Sequence, residues 1–167
     1  LATSFLFSTI IDAITDLRGT ITVAGGYTND LSVTDAIQYG DPGSIEPVAP
    51  RVSVWISGVS IASNAESDRA ALGEYQRIAT ITLIALAKAT EDTPQKRLDG
   101  ITTLVDDIVR ALEGTSAPGM RTLGGIAIDD VVIEAVDFSP ALQMSESSRK
   151  AEMTLKITWR TSAGTGL

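Results

Sequence analysis

The chain has 167 residues, no cysteine, no histidine and a formal charge of −8 from 21 acidic and 13 basic side chains. Disulfides and thiolate metal sites are therefore excluded, as is every Ser-His or Cys-His arrangement, and the commonest general base is missing. An acidic balance opposes tight binding of a phosphate backbone, so a nucleic-acid reader is not expected.

That charge is uneven. Residues 1–50 hold six acids against the single Arg18, whereas residues 141–167 hold Arg149, Lys150, Lys156 and Arg160 against Glu146 and Glu152. Leu1–Ile11 is apolar but lacks the basic start of a signal peptide and soon meets Asp12 and Asp16. The longest uncharged apolar run, Ile78–Ala87, is half of what a spanning helix needs. A soluble protein made in a reducing cytoplasm is expected. A first residue of Leu rather than Met points to loss of an initiator or of a few residues.

In chain order, Phe5, Leu6, Ile10, Ala13, Ile14 and Leu17 recur at three- and four-residue steps, which predicts a helix over Phe5–Leu17. Gly19 stands where a left-handed terminating residue belongs. Thr20–Val23 reads as a short strand, followed by turns over Ala24–Asp30. Leu31–Tyr39 has no decisive pattern, and Gly40–Pro50, with Asp41-Pro42-Gly43, is a loop. Val52, Val54 and Ile56 alternate with Ser53, Trp55 and Ser57 in a strand over Arg51–Val59. Ser60–Gly73 is an exposed connection, and Glu74–Lys88 a strand apolar on both faces, as at a central position.

Thr93 and Pro94 open a second helix, with Thr93 as cap and Pro94 in the favoured first position. Leu98, Ile101, Leu104, Val105, Ile108 and Leu112 form its stripe, and Gly114 ends it. Two strands close the chain, Ala127–Phe138 and Ser148–Thr161. In the last, Ala151, Met153, Leu155, Ile157 and Trp159 face a core while Glu152, Thr154, Lys156, Thr158 and Arg160 face water. The fold class is α+β: a mostly antiparallel sheet of four or more strands packed by two amphipathic helices, in the order α-β-β-β-α-β-β. One domain spans 1–167, with long loops about 24–50 and 60–73 and a flexible tail over 162–167.

Catalytic chemistry finds no foothold. Asp12/Asp16 share a helix face but lack a third ligand, and read as solvated groups. Asp106/Asp107 flank the apolar stripe and read as surface groups, and Asp129-Asp130 reads as a β-bulge. Gly114–Gly119 lacks the lysine of a phosphate loop, and Gly124-Gly125 precedes a strand. Neither an enzyme nor a cofactor is expected. Trp159 continues the apolar face. Trp55 points the other way, leaving two placements open: an outward anchor for a partner subunit, or burial beneath the second helix.

This layout resembles the tail terminator proteins of long-tailed (siphovirus-like) bacteriophages. The likeness rests on the helix Phe5–Leu17 leading into a strand, on Pro50-Arg51-Val52-Ser53-Val54 opening the next, and on Glu74-Tyr75-Gln76-Arg77-Ile78-Ala79-Thr80-Ile81-Thr82-Leu83. It is completed by an acidic helix, Leu98–Leu112, before two long strands ending in Ile157-Thr158-Trp159-Arg160-Thr161. The resemblance implies a virion structural protein that forms a ring, a hexamer, caps the tail tube and stops its polymerisation. It would join the tail to neck or connector proteins while genomic DNA passes through the lumen unbound. The site would be the tail–neck junction of a virion assembled in the host cytoplasm, with no membrane involved. Subunit contacts are then expected at Arg51, Trp55, Arg69, Glu74, Arg77 and Arg121, the arginines meeting acids such as Glu66, Glu74 or Asp92 on a neighbour. The alternatives are another neck component (a stopper or tail-completion protein) or a small-ligand binding domain.

Overall fold

The computed structural model describes residues 7–32, 36–40, 52–64, 73–88, 93–113, 122–123, 126–127, 130–138 and 148–162. Helix α1 spans Phe7–Thr15 and a further turn, α2, spans Leu17–Thr20. Ile10, Ala13, Ile14 and Leu17 are all buried in the core, as their spacing predicts. The strand expected over Thr20–Val23 does not form. The Ile21 amide bonds back to the Leu17 carbonyl at 2.8 Å, and Gly25 and Gly26 bond back to Thr22 and Val23, each at 3.0 Å. Local turns thus satisfy this backbone, and no strand needs to. Gly19 lies inside α2 rather than ending a helix, and the left-handed conformation falls to Gly26 at φ 83°.

The sheet has five strands in the order β1-β2-β3-β7-β6. β1 is Ile37–Tyr39, β2 Val52–Asn64, β3 Glu74–Lys88, β6 Asp130–Asp137 and β7 Ser148–Ser162. Only β1 with β2 is parallel; the other pairs are antiparallel. A small hairpin, β4 (Thr122–Leu123) with β5 (Ile126–Ala127), lies apart from this sheet. The fold is α+β and mostly antiparallel, as expected, but the strand inventory differs. β1 lies inside the stretch read as loop 24–50, and β2 runs on to Asn64, into the stretch read as loop 60–73. β6 begins at Asp130, not Ala127. Ser162 belongs to β7, and the rest of the expected tail lies outside the described residues. Of the bulge read at Asp129-Asp130, Asp129 lies outside the described residues and Asp130 pairs regularly with Thr158; an extra residue, Glu134, stands between Ile133 and Ala135. A second irregularity in β2 lies between Ile56 and Gly58.

β3 and β7 pair along their full 15 residues, from Glu74 opposite Ser162 to Lys88 opposite Ser148. Alternation then assigns the faces. Ala79, Ile81, Leu83, Ala85 and Ala87 of β3 join Ala151, Met153, Leu155, Ile157 and Trp159 of β7, all buried, on the side that meets the helices. Helix α3, Pro94–Glu113, lies over them. Its start is capped as predicted, since Lys96 N–H donates to Thr93 Oγ1 at 3.3 Å. Ile101, Leu104, Val105, Ile108 and Leu112 are buried. Leu98, expected in that stripe, is 49% exposed, so the core contact begins one turn later. No helix among the described residues is long and apolar enough to cross a membrane.

Trp159, 1% exposed, is among the largest side chains in this core. Trp159→Ala should lower unfolding free energy by about 3–5 kcal/mol in urea titration. Thr158→Ala, on the opposite face, should change it by about 1 kcal/mol or less.

Candidate functional site

The face of the sheet away from the described helices carries the other half of the strand side chains. It is built from Gln38 of β1, Ser53 and Trp55 of β2, Thr80, Thr82, Ile84 and Leu86 of β3, Thr154, Lys156 and Thr158 of β7, and Val132 of β6. Toward one end Ser53, Ile84 and Leu86 are buried. Toward the middle a threonine row is half-buried. Charges here pair locally: Lys156 with Glu134 at 3.2 Å and Lys150 with Glu152 at 3.8 Å. The Lys156–Glu134 pair is well solvated and of small energetic weight, whereas Lys150 is the more enclosed member of its pair.

Trp55 belongs to this face, between Gln38 and Ile84 on the adjoining strands. Burial beneath the second helix is therefore ruled out, because its neighbours Val54 and Ile56 occupy the helix-facing positions. The indole is only half-buried. Its Nε1 is nonetheless shut away from solvent and has no hydrogen-bond partner. Buried donors are seldom left unbonded, so this indole marks a place where an acceptor is wanting.

Arg77 of β3 sits on the other face, cross-strand from Ser63 and Trp159. It donates to Ser63 Oγ and lies 5.8 Å from the Tyr75 ring centroid. Trp55 and Arg77 therefore do not share a patch. Glu74 opens β3, its backbone opposite Ser162. Arg51, Arg69 and Arg121 lie outside the described residues, as do Glu66 and Asp92.

The strongest polar constellation was not legible in the sequence. Asp107, read as a surface group, is 4% exposed. It accepts from Thr28 N at 3.2 Å, Asn29 N at 2.7 Å and Asn29 Nδ2 at 2.9 Å. One turn on, Arg110 donates to the Gly26 carbonyl at 2.8 Å and lies 4.5 Å from the Tyr27 ring centroid. Together they clasp the 26–29 turn to α3. Sequence spacing gives no warning, since partners nearly 80 positions apart meet only in the fold; the sole hint is that Asp107 borders Leu104 and Ile108 at helical spacing. Asp106, by contrast, is exposed as expected, and so are Asp12 and Asp16. Among the described residues no three His, Cys, Asp or Glu side chains converge as a metal site would need. Asp30 is held below its usual carboxylate range by the Ser32 hydroxyl and then the Ser32 amide. A lowered pKa means that this turn's support is complete above the ordinary value and fades only as pH falls through the lowered one.

The sheet's two margins also differ. At the β6 margin, Glu113, the last residue of α3, accepts the Ile133 amide at 3.2 Å. At the other, β1 covers β2 only from Val54 to Ile56, leaving Gly58–Asn64 with no described neighbour on the outer side.

Compared with known proteins, the chain matches no family model and no curated protein.

Asp107→Ala should leave two backbone amides without their acceptor and cost about 1–3 kcal/mol. Thermal melting should fall, and hydrogen exchange at Thr28 and Asn29 should quicken. Asp106→Ala should do neither.

Proposed function

We propose that the chain is a ring-forming virion subunit of the tail-terminator type, capping a tail tube and joining it to the neck. The observation that carries this reading is the one-sided layering. A sheet whose central strands pair over 15 residues has its described helices on one face only; on the other, Ser53, Ile84 and Leu86 are buried at one end, while the half-buried stretch with Trp55 and the threonines is the proposed contact surface. At roughly 3.3 Å per residue those strands make a wall about 50 Å long. A rigid wall of this kind suits a building block. Three charged groups serve the scaffold: Asp107, Arg110 and Glu113 each bond to backbone of another segment.

In this mechanism, a patch on one flank meets a different patch on the next copy, and the rotation between them closes a ring. A related contact whose rotation does not close would grow a tube. Capping the tube with a closed ring ends growth. The net charge of −8 lets DNA pass without being held. Trp55, with its unbonded Nε1 at a half-buried position, is the proposed anchor for a neighbouring virion protein.

Electron microscopy of the purified protein, alone and with tail tubes, tests the reading. Rings at tube ends, and tails of uncontrolled length when the protein is omitted, are the expected results. Normal-length tails that fail to join heads would move the chain to another neck position, and a monomer that melts later with an added small ligand would sink the assembly reading. Trp55→Phe makes a finer test. In the free subunit it should leave melting unchanged or raise it by up to about 1 kcal/mol, because an unbonded donor disappears. In the assembled particle it should weaken attachment.

A further inference from the structure

Sheets end in strands with unpaired outward amides, and folds shield them with charge, bulges, short length or a covering group. The β6 margin is shielded. Glu134 is extra at a bulge, Glu113 takes the Ile133 amide, and Asp130 and Asp137 place carboxylates at both ends of the strand. Among the described residues, the β2 margin beyond β1 has no such shield. Gly58-Val59-Ser60-Ile61-Ala62-Ser63-Asn64 has no charge, no proline and no bulge within it.

Chain chirality identifies the open peptide groups. Val54 N–H donates to the Ala36 carbonyl at 2.7 Å, and the Ile56 carbonyl accepts from Gly40 at 2.9 Å. In β2, then, residues whose side chains face the helices turn their peptide groups to the outer edge. Val59, Ile61 and Ser63 take that orientation in the continuing strand. No hydrogen bond from the described residues reaches their outward groups. Ser60, Ala62 and Ser63 are exposed, and Val59 and Ile61 half-buried against the core.

We propose that this edge pairs antiparallel with the same edge of a second copy, about a two-fold axis through Ile61. In that register Ile61 opposes its own equivalent, Val59 opposes Ser63 and Ser60 opposes Ala62. Every outward group of Val59, Ile61 and Ser63 then exchanges bonds with an outward group of the other copy. The axis stands perpendicular to the sheet, so both helix layers stay on one side and the apolar row of Val59 and Ile61 continues across the junction. No like charges oppose each other, since the segment carries none. β1 sets the limit: Asn64 meets Gly58, and the positions beyond are already occupied by β1 at Ile56. Such a contact is two-fold, separate from the head-to-tail contacts that close a ring, and independent of the tail-terminator reading.

The absence of cysteine supplies the test. Ile61→Cys in the full chain places a lone thiol at the axis, where a bonded antiparallel pair sets Cα atoms about 5.5 Å apart, within disulfide reach. Ser63→Cys is the control, its two copies about 14 Å apart along the strands. Under mild oxidation, folded Ile61→Cys protein should form a covalent dimer at least about tenfold faster than Ser63→Cys. Sedimentation equilibrium gives a second arm that leaves the core untouched: Ala62→Lys, at an exposed position, should weaken self-association at least about tenfold. Equal cross-linking of the two thiols, no cross-linking in folded protein, or self-association indifferent to Ala62→Lys overturns the proposal. A folded, uncross-linked monomer would instead favour a strand from another protein as occupant. Rings that form without the cross-link would leave the terminator reading standing and sink this one.

Discussion

The register between β3 and β7 governs the rest of the molecule. Their ladder runs unbroken through 15 pairs, placing Leu83 opposite Met153, Ile81 opposite Leu155 and Ala79 opposite Ile157. Because side chains alternate with a period of two, a slip of one residue would send that whole set to the opposite face and bring Lys150, Glu152 and Lys156 inward. Burying these three charges is far more costly than any local gain could offset. The apolar alternation of β7 against the near-continuous apolar run of β3 therefore selects one pairing. Helices α1 and α3 can dock only where that pairing places the apolar rows.

Once the register is set, the polar groups do a second kind of work. Asp107 and Arg110 tie a turn between α2 and β1 to the last turns of α3, and Glu113 ties the end of α3 to β6. Each joins segments far apart in sequence, and the bonds formed by Asp107 and Glu113 are charge-assisted. They hold the irregular parts of the chain against the layered core, where hydrophobic burial by itself would not choose one loop conformation over another.

The same layering leaves surfaces unfinished. Away from the described helices the sheet keeps a stretch that is not fully buried, with Trp55 half-buried and its Nε1 unbonded. The margins are treated unequally among the described residues, β6 guarded by bulge and carboxylates, β2 without a described neighbour over Gly58–Asn64. For a chain proposed to work inside an assembly, the places that no described element covers are the informative ones.

The long elements were legible in the sequence because their signals are periodic and local. β3 begins and ends at the predicted residues, α3 begins at its predicted cap, and Trp159 lies in the core as alternation required. Short and irregular elements were not. β1 has three residues and no pattern of its own; it exists because β2 offers it an edge. The strand read at Thr20–Val23 lost to turn bonds with Leu17, Thr22 and Val23. The bulge at Glu134 and the burial of Asp107 likewise depend on partners brought from elsewhere. Of the candidate site, the residue types were visible in advance but not their faces. Trp55 and Arg77 could be assigned to opposite sides only once each strand had a register and α3 had chosen a face. Periodicity is a property of a single segment and survives in the sequence. Facing, edge exposure and polar pairing are properties of two segments together, and only the tertiary structure brings those segments into contact.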